Sequence, residues 1–267
     1  SKRIALFDLD TPIYKGASAC EIRNVEVTHT PTLTKKIFKN RTEFKELLKS
    51  KDKIDSLSEY EIVDTQIAES LSIAIKVLDS NIENTLENIW ADKVIYMVSG
   101  TSNFRNELAL PSKYKGTRST VRPLLLRALQ SYAKCKYNAV QSDMEECDDI
   151  QVWMGYEQLE KGNIPIMIAS DKDAKAYSGL FLFNPDKADE GIIEIPSLGK
   201  IFIDPKNKVR ANGMMQYSLQ MLIGDTVDSY RPTEISGVKF GEKSAYKILK
   251  DLTTEKMVLT AVVNQYK

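Results

Sequence analysis

Hydrophobic runs in this chain are short, and several of them stop at acid. Residues 3–7, apolar from Ile4 up to Asp8, predict a buried strand, as do residues 93–98 and 165–169, with a shorter strand over 137–140. Between these runs the apolar positions change to helical spacing. Ile67, Leu71, Ile75, Leu78, Ile82, Leu86 and Ile89 predict a long helix over 64–90, with Ser80 as the point where it would break. Further helices are expected over 123–133, 148–159, 213–223 and 242–252, and a β-hairpin over 191–203 turning at Leu198 and Gly199. Residues 22–55 read as an added module: EIRNVEVTHT alternates like a strand, and RTEFKELLKS is a short basic helix with Thr42 as its N-cap. Strands alternating with helices imply an α/β fold, a mostly parallel central sheet flanked by helices. Ligands of such sheets bind beyond the carboxyl ends of the strands.

Acid stands where that rule puts a ligand site. The clusters are Asp8/Asp10 in IALFDLD, Glu145/Glu146/Asp148/Asp149 in MEECDD, Asp171/Asp173 in IMIASDKD and Asp225/Asp228 in IGDTVD. Any one cluster is explained by a solvated cap or turn; their recurrence at the ends of strands and helices is not. Carboxylates crowded into one cleft repel and raise each other's pKa, so they are expected to hold divalent cations. Hard oxygen donors without a Cys/His set point to magnesium or manganese, and to two-metal phosphodiester chemistry.

Composition adds limits. The chain has 267 residues, is 42% hydrophobic and 28% charged, and has a formal net charge of +0, so global charge favours no partner. Local charge does: from 101 to 138, Arg105, Lys113, Lys115, Arg118, Arg122, Arg127, Lys134 and Lys136 face the single acid Glu107. A positive strip between two acid clusters suits a phosphate backbone, although a solvated helix face gives the same pattern. Cys20, Cys135 and Cys147 are odd in number and lack metal-ligand spacing, which suggests free thiols and a reducing, cytoplasmic setting. No apolar run approaches the roughly 20 residues of a membrane span, and the first one is interrupted by acid too early for a signal peptide. His29, the only histidine, is expected to be structural and has no neighbouring nucleophile motif for a triad.

Three segments in order resemble the phage 5′→3′ exonucleases related to flap endonucleases and to the 5′-nuclease domain of bacterial DNA polymerase I. Asn103-Phe104-Arg105-Asn106-Glu107, followed by Pro111, Tyr114, Lys115 and Arg118, is similar to the family's F-R-x-E…P-x-Y-K-x-x-R segment. Glu146-Cys147-Asp148-Asp149 and Ser170-Asp171-Lys172-Asp173 resemble E-A/G-D-D and S-x-D-x-D. Gly224-Asp225-Thr226-Val227-Asp228, with Gly241-Glu242-Lys243-Ser244-Ala245 downstream, resembles G-D-x-x-D and G-x-K-x-A. The resemblance covers about residues 1–20 and 94–250.

It implies a PIN-like catalytic domain over 1–205, carrying the added module (22–60) and a basic gateway segment (101–130), then a helical region over 206–267 with a helix–three-turn–helix-like DNA-binding element. It implies two magnesium or manganese ions, one held by Asp8, Glu146, Asp148 and Asp149, the other by Asp171, Asp173, Asp225 and Asp228. Lys115 and Arg118 would contact the scissile phosphate, Arg105 and Tyr114 would place the strand end, and Lys113 and Arg122 would bind DNA. Gly237, Gly241 and Lys243 would grip duplex backbone, in the family often around a potassium ion. The expected substrate is DNA with 5′ ends or flaps, or RNA in RNA–DNA hybrids, cut by a monomer during phage replication or repair beside proteins such as a single-strand-binding protein. Two departures stand out. The family's acid after the second strand is missing from Met97-Val98-Ser99-Gly100, where Asp10 is the candidate substitute, and the glycine pair before Lys243 reads Lys239-Phe240-Gly241.

Two other readings remain open from sequence. Phe7-Asp8-Leu9-Asp10-Thr11 loosely fits a haloacid-dehalogenase-type phosphohydrolase, with Asp8 as nucleophile and Asp10 as general acid/base, but that family needs a strand before Asp225. A degenerate nuclease fold kept as a DNA-binding module is the other.

Overall fold

The computed structural model describes residues 1–267 apart from 52–53, 109–112, 117–120, 233–236 and 238–239. In chain order the first elements are β1 (Arg3–Asp8), α1 (Asp10–Ala19), β2 (Glu21–His29), β3 (Thr34–Phe38), α2 (Arg41–Ser50), β4 (Tyr60–Ala68) and α3 (Leu71–Glu87). There follow β5 (Lys93–Ser99), α4 (Leu126–Lys136), β6 (Val140–Ser142), α5 (Cys147–Glu160), β7 (Ile164–Ile168), β8 (Phe181–Phe183) and β9 (Ile192–Glu194). The C-terminal part contains β10 (Ile201–Ile203), β11 (Val209–Ala211), α6 (Gly213–Ile223), α7 (Glu242–Leu249) and α8 (Glu255–Asn264).

A six-stranded sheet in the order β6-β5-β1-β7-β8-β9 carries the expected α/β architecture. All its pairings are parallel except β8 with β9. β1 is central, and Ile4, Ala5, Leu6 and Phe7 are all buried because helices cover both faces of the sheet. From β1 the chain builds outward to β5 and β6, then returns to β7 on the other side. The order therefore reverses at β1, where a crevice opens beyond its carboxyl end.

One face packs against α1, α3 and α4 through Ile13, Leu78, Ile82 and Leu129. The other receives α5, and buried Gln151 fixes its position by donating to the Leu6 carbonyl at 2.8 Å and the Ile168 carbonyl at 3.1 Å. One side chain thus ties α5 to both β1 and β7. A second apolar cluster joins β11 and α6 to the two last helices.

Several expectations need correction. The helix expected over 64–90 begins at Leu71, and residues 60–68 are instead strand β4, paired antiparallel with β2 from Glu21↔Ala68 to His29↔Tyr60. Val63, Thr65 and Ile67 are β-branched and alternate, and Ile67, which helical spacing places in the core, is 62% exposed. Ser80 does not break α3. β2, β3 and β4 form a separate three-stranded sheet over which α2 packs Phe44 and Leu48. Asn40, not Thr42, caps α2, accepting from the Glu43 amide at 2.9 Å. The hairpin over 191–203 does not form: β9 pairs with β8, while β10 pairs with β11. The strand near 137–140 starts only at Val140, after a turn in which Asn138 is left-handed. α1 escaped prediction because Pro12 interrupts its sequence, but a proline in the first turn needs no amide partner.

His29 is structural, as expected, with its ring against Tyr60 and Nδ1 at 2.7 Å from the Thr32 hydroxyl. Among the described residues no helix is long and apolar enough to cross a membrane.

Gln151→Leu leaves two buried strand carbonyls without this donor, which costs about 1–3 kcal/mol. Urea unfolding of the variant should show that loss, with the slope of the transition unchanged.

Candidate metal and nucleic-acid site

The crevice at the end of β1 is where the acids meet. Asp8 is the last residue of β1 and Asp10 the first of α1; the Asp10 amide donates to Asp8 Oδ1 at 2.8 Å. The Asp10 carboxylate crosses to the end of β5, accepting from the Ser99 amide at 3.2 and 3.3 Å. It therefore occupies the end of the strand whose own sequence lacks an acid. Glu146, Asp148 and Asp149 arrive at the N-terminus of α5, where the helix dipole favours negative charge. The helix start is pinned by the Ser99 hydroxyl, which accepts from the Cys147 amide at 2.9 Å.

The second group stands beside the first. Asp171 follows β7, is exposed, and accepts from the Asp173 amide at 2.9 Å. Asp225 and Asp228 lie on a turn closed by two backbone bonds between Asp225 and Tyr230, at 2.8 and 3.0 Å. Gly224 allows this turn directly after α6: its φ is +78°, and a Cβ there would meet the Tyr230 carbonyl at 2.5 Å. Gln220 of α6 donates to Asp173, and Lys172 reaches Asp225 at 3.2 Å.

Cations from the basic segment close over both groups. Lys115 donates to Glu146 and lies 4.0 Å from Asp228, linking the two acid groups. Its backbone is left-handed (φ +52°), unusual for a residue with a side chain, and is held by a bond from its amide to the Asp228 carbonyl at 3.3 Å. Arg105 makes a two-pronged pair with Asp149 at 2.6 and 2.7 Å. Tyr114 packs between these cations and donates to Glu146 at 2.7 Å.

The electrostatics follow the geometry. Burial and the Asp10 charge push Asp8 up to about 7, and burial also raises Asp10. Asp148 rises to about 6 through burial and the charges of Asp149 and Glu146. Asp173 also rises to about 6, from burial and the Asp171 charge. Burial would raise Glu146 and Asp149 too, but Lys115 and Tyr114 hold the first below its usual range and Arg105 the second.

A divalent metal fits the donor set. Ligand atoms of Asp8, Asp10 and Cys147 all lie within 4.8 Å of one another. With Glu146 and Asp148 alongside, oxygen donors dominate, which suits magnesium or manganese. Cys147 was missed from sequence, where its spacing suggests no ligand role; it is 1% exposed and its thiol hydrogen-bonds Asp8. Its signal was its place inside Glu146-Cys147-Asp148-Asp149. Ser99 and Gln220 carry no sequence signal of their own.

The remaining candidates are more dispersed. Lys113 is exposed in the turn before Lys115, and Arg122 is exposed, its carbonyl accepting from Gln66 at 3.0 Å. Gly237, with φ +71°, and Gly241, at the N-cap of α7, are exposed, as is Lys243 in the first turn of that helix. Arg118 falls outside the described residues, as do parts of the gateway segment and of the loop before Gly241.

No family model and no curated protein matches the chain. Among solved structures, the T5 D15 protein, co-crystallised with metal ions, aligns over 99% of this chain and 85% of its own, with a TM-score of 0.49 and 11% identity. At that level of similarity the functional reading rests on the chain's own residues.

Asp8→Asn should remove a carboxylate whose charge is disfavoured in the metal-free protein by burial and by repulsion from Asp10. In EDTA the variant should melt a few degrees above the parent, about 1–2 kcal/mol, and should lose the stabilisation that magnesium gives the parent. An unchanged or lower melting temperature in EDTA would contradict a disfavoured charge at Asp8.

Proposed function

We propose that the protein is a metal-dependent 5′ nuclease of the PIN-like, flap-endonuclease kind, hydrolysing phosphodiester bonds at the 5′ ends or flaps of DNA, or of RNA in hybrids, in phage replication or repair. The observation that carries the reading is the convergence of acids from four separate segments on the crevice at the end of β1, with Lys115 joining both groups. In this reading Asp8, Asp10, Glu146 and Asp148 hold one magnesium, and Asp171, Asp173, Asp225 and Asp228 the other. When bound, two such ions supply an activated water and charge stabilisation for the attacking and leaving oxygens.

The protein's own groups bind and orient. Lys115 is paired with Glu146 and lies near Asp228; its ammonium would meet the scissile phosphate when those carboxylates hold cations. Asp149 is committed to Arg105, so its part is to aim the guanidinium rather than to ligate. Lys113, Arg122 and Arg118 would follow the strand, and Gly237, Gly241 and Lys243 the duplex backbone, with a potassium ion as in the family. The phosphohydrolase reading is weakened because residues 213–223, where it needs a strand, are helical.

The direct test is cleavage of a 5′-labelled flap and a blunt duplex in magnesium and in EDTA. Short 5′ fragments released in magnesium alone are expected; hydrolysis of a small phosphomonoester without DNA cleavage would overturn the reading. Asp148→Asn and Asp171→Asn should each abolish cleavage with folding and DNA binding largely kept, and wild-type-like rates in both would remove the metal assignment. Lys115→Ala should lower turnover by about 100-fold and affinity far less. An effect on affinity alone would remove Lys115 from the reacting phosphate.

A further inference from the structure

None of the roles assigned above uses the thiol of Cys147, the first residue of α5. A buried cysteine is ordinarily a small apolar side chain, and this one does pack with Ile4, Leu6, Met97 and Ile150. Packing alone does not aim a thiol at acid. Here the thiol hydrogen-bonds Asp8, and Sγ joins one carboxylate oxygen each of Asp8 and Asp10 in a group whose atoms all lie within 4.8 Å of one another. Among the described residues no other His, Cys, Asp and Glu side chains form such a group.

The three donors are held from several sides. The Asp10 amide donates to Asp8 at 2.8 Å, and the Ser99 amide to the Asp10 carboxylate at 3.2 and 3.3 Å. The Ser99 hydroxyl accepts from the Cys147 amide at 2.9 Å. Ser99 thus ties Asp10 to Cys147, once through its backbone and once through its side chain. Donors fixed in this way lose little freedom when an ion arrives.

Sulfur changes which ion such a group prefers. Magnesium asks for an octahedral set of oxygen ligands and gains nothing from a thiol. Zinc and cadmium are thiophilic, and zinc takes mixed Cys and Asp donors in a four-coordinate set. Two donors on one zinc ion stand roughly 3.5 Å apart by its bond lengths, so Asp8, Asp10 and Cys147 need close only slightly. As the sulfur–metal bond forms, the thiol proton leaves to solvent and no electron is transferred.

We propose that Cys147 makes the first metal position a thiophilic site, where zinc or cadmium is held by Asp8, Asp10 and the Cys147 thiolate in place of magnesium. With magnesium bound the thiol keeps its proton. A four-coordinate set on these three residues leaves no room for both Glu146 and Asp148 beside them. Resting on the nuclease reading, zinc therefore arrests cleavage, and Cys147 is the residue that admits it.

The test is a metal titration without DNA, with Cys135→Ser in every protein to remove the exposed thiol. Cadmium should raise one equivalent of sulfur-to-metal charge-transfer absorption in the ultraviolet, zinc should displace it, and Cys147→Ala should abolish it. Zinc affinity should fall by at least about 100-fold in that variant, the upper end of what losing even an outer partner costs, and magnesium affinity by less than about threefold. No thiolate absorption at saturating cadmium, absorption that persists in Cys147→Ala, or equal zinc affinity in both proteins would overturn the thiophilic site. Cys147→Ser takes the place of the alanine variant if the latter melts early.

A second arm measures cleavage in magnesium, each protein compared with its own rate without zinc. The zinc concentration that halves the rate should rise by at least about 100-fold in Cys147→Ala. Equal sensitivity would overturn the arrest at this site. A parent that cuts no DNA would end the nuclease reading and leave the binding titration to decide the role of the thiol.

Discussion

Repulsion between carboxylates at the end of β1 is the constraint around which this molecule is arranged. A sheet whose strand order reverses at a central strand concentrates the ends of β1, β5 and β7 at one edge, and here each of those ends bears or receives an acid. Burial first, and then the neighbouring carboxylates, push Asp8 up to about 7 and Asp148 up to about 6. The protein offsets part of that charge itself. Lys115 does so in a strained backbone conformation, and a non-glycine residue left-handed at such a point is held there by its surroundings rather than by its own preference. The strain and the charge pairing share one cause, the need for a cation between two acid groups.

The two groups stand on different packing units. Asp8, Asp10 and the start of α5 rest on the sheet, through the apolar cluster of Leu6, Met97 and Ile150 and through Gln151. Asp225 and Asp228 extend from α6, whose core is shared with β11 and the last two helices. Asp173 lies between and is bonded from the α6 side by Gln220. Contacts such as Lys172 with Asp225 therefore do more than decorate a surface. They hold the turn after α6 to the segment after β7 within the second acid group, while Lys115 is the contact that spans the two groups.

Much of this was legible in the sequence because acid at the end of an apolar run is a strong local signal. Asp8, Asp171 and the α5 cluster could be placed at strand and helix ends without any knowledge of pairing. The failures came where local pattern and long-range pairing compete. Ile67 fits a helical spacing continued into α3, but it pairs with Ile22 of β2, far back in the chain, and a local periodicity cannot see that partner. The turn at Leu198 and Gly199 suggested a hairpin, yet β9 completes the main sheet beside β8 and leaves β10 to pair forward with β11. Cys147 and Ser99 belong to the site through geometry alone. Neither residue type signals its role until β5 and α5 are brought together.

The added sheet gains a role from the same geometry. Glu21, at the start of β2, accepts from the Leu124 amide at 2.6 Å and from Arg23 at 2.5 Å, and Gln66 of β4 donates both to Glu21 and to the Arg122 carbonyl, each at 3.0 Å. Burial would raise Glu21, but these bonds outweigh it and hold its carboxyl below the usual range, so it is charged where it meets the chain. Residues 122–124 are where the basic segment rejoins the fold at α4, and Lys115 fixes the same segment to the acid site at its other end. The segment is therefore anchored twice, once by charge at the acids and once by hydrogen bonds at the base of β2 and β4.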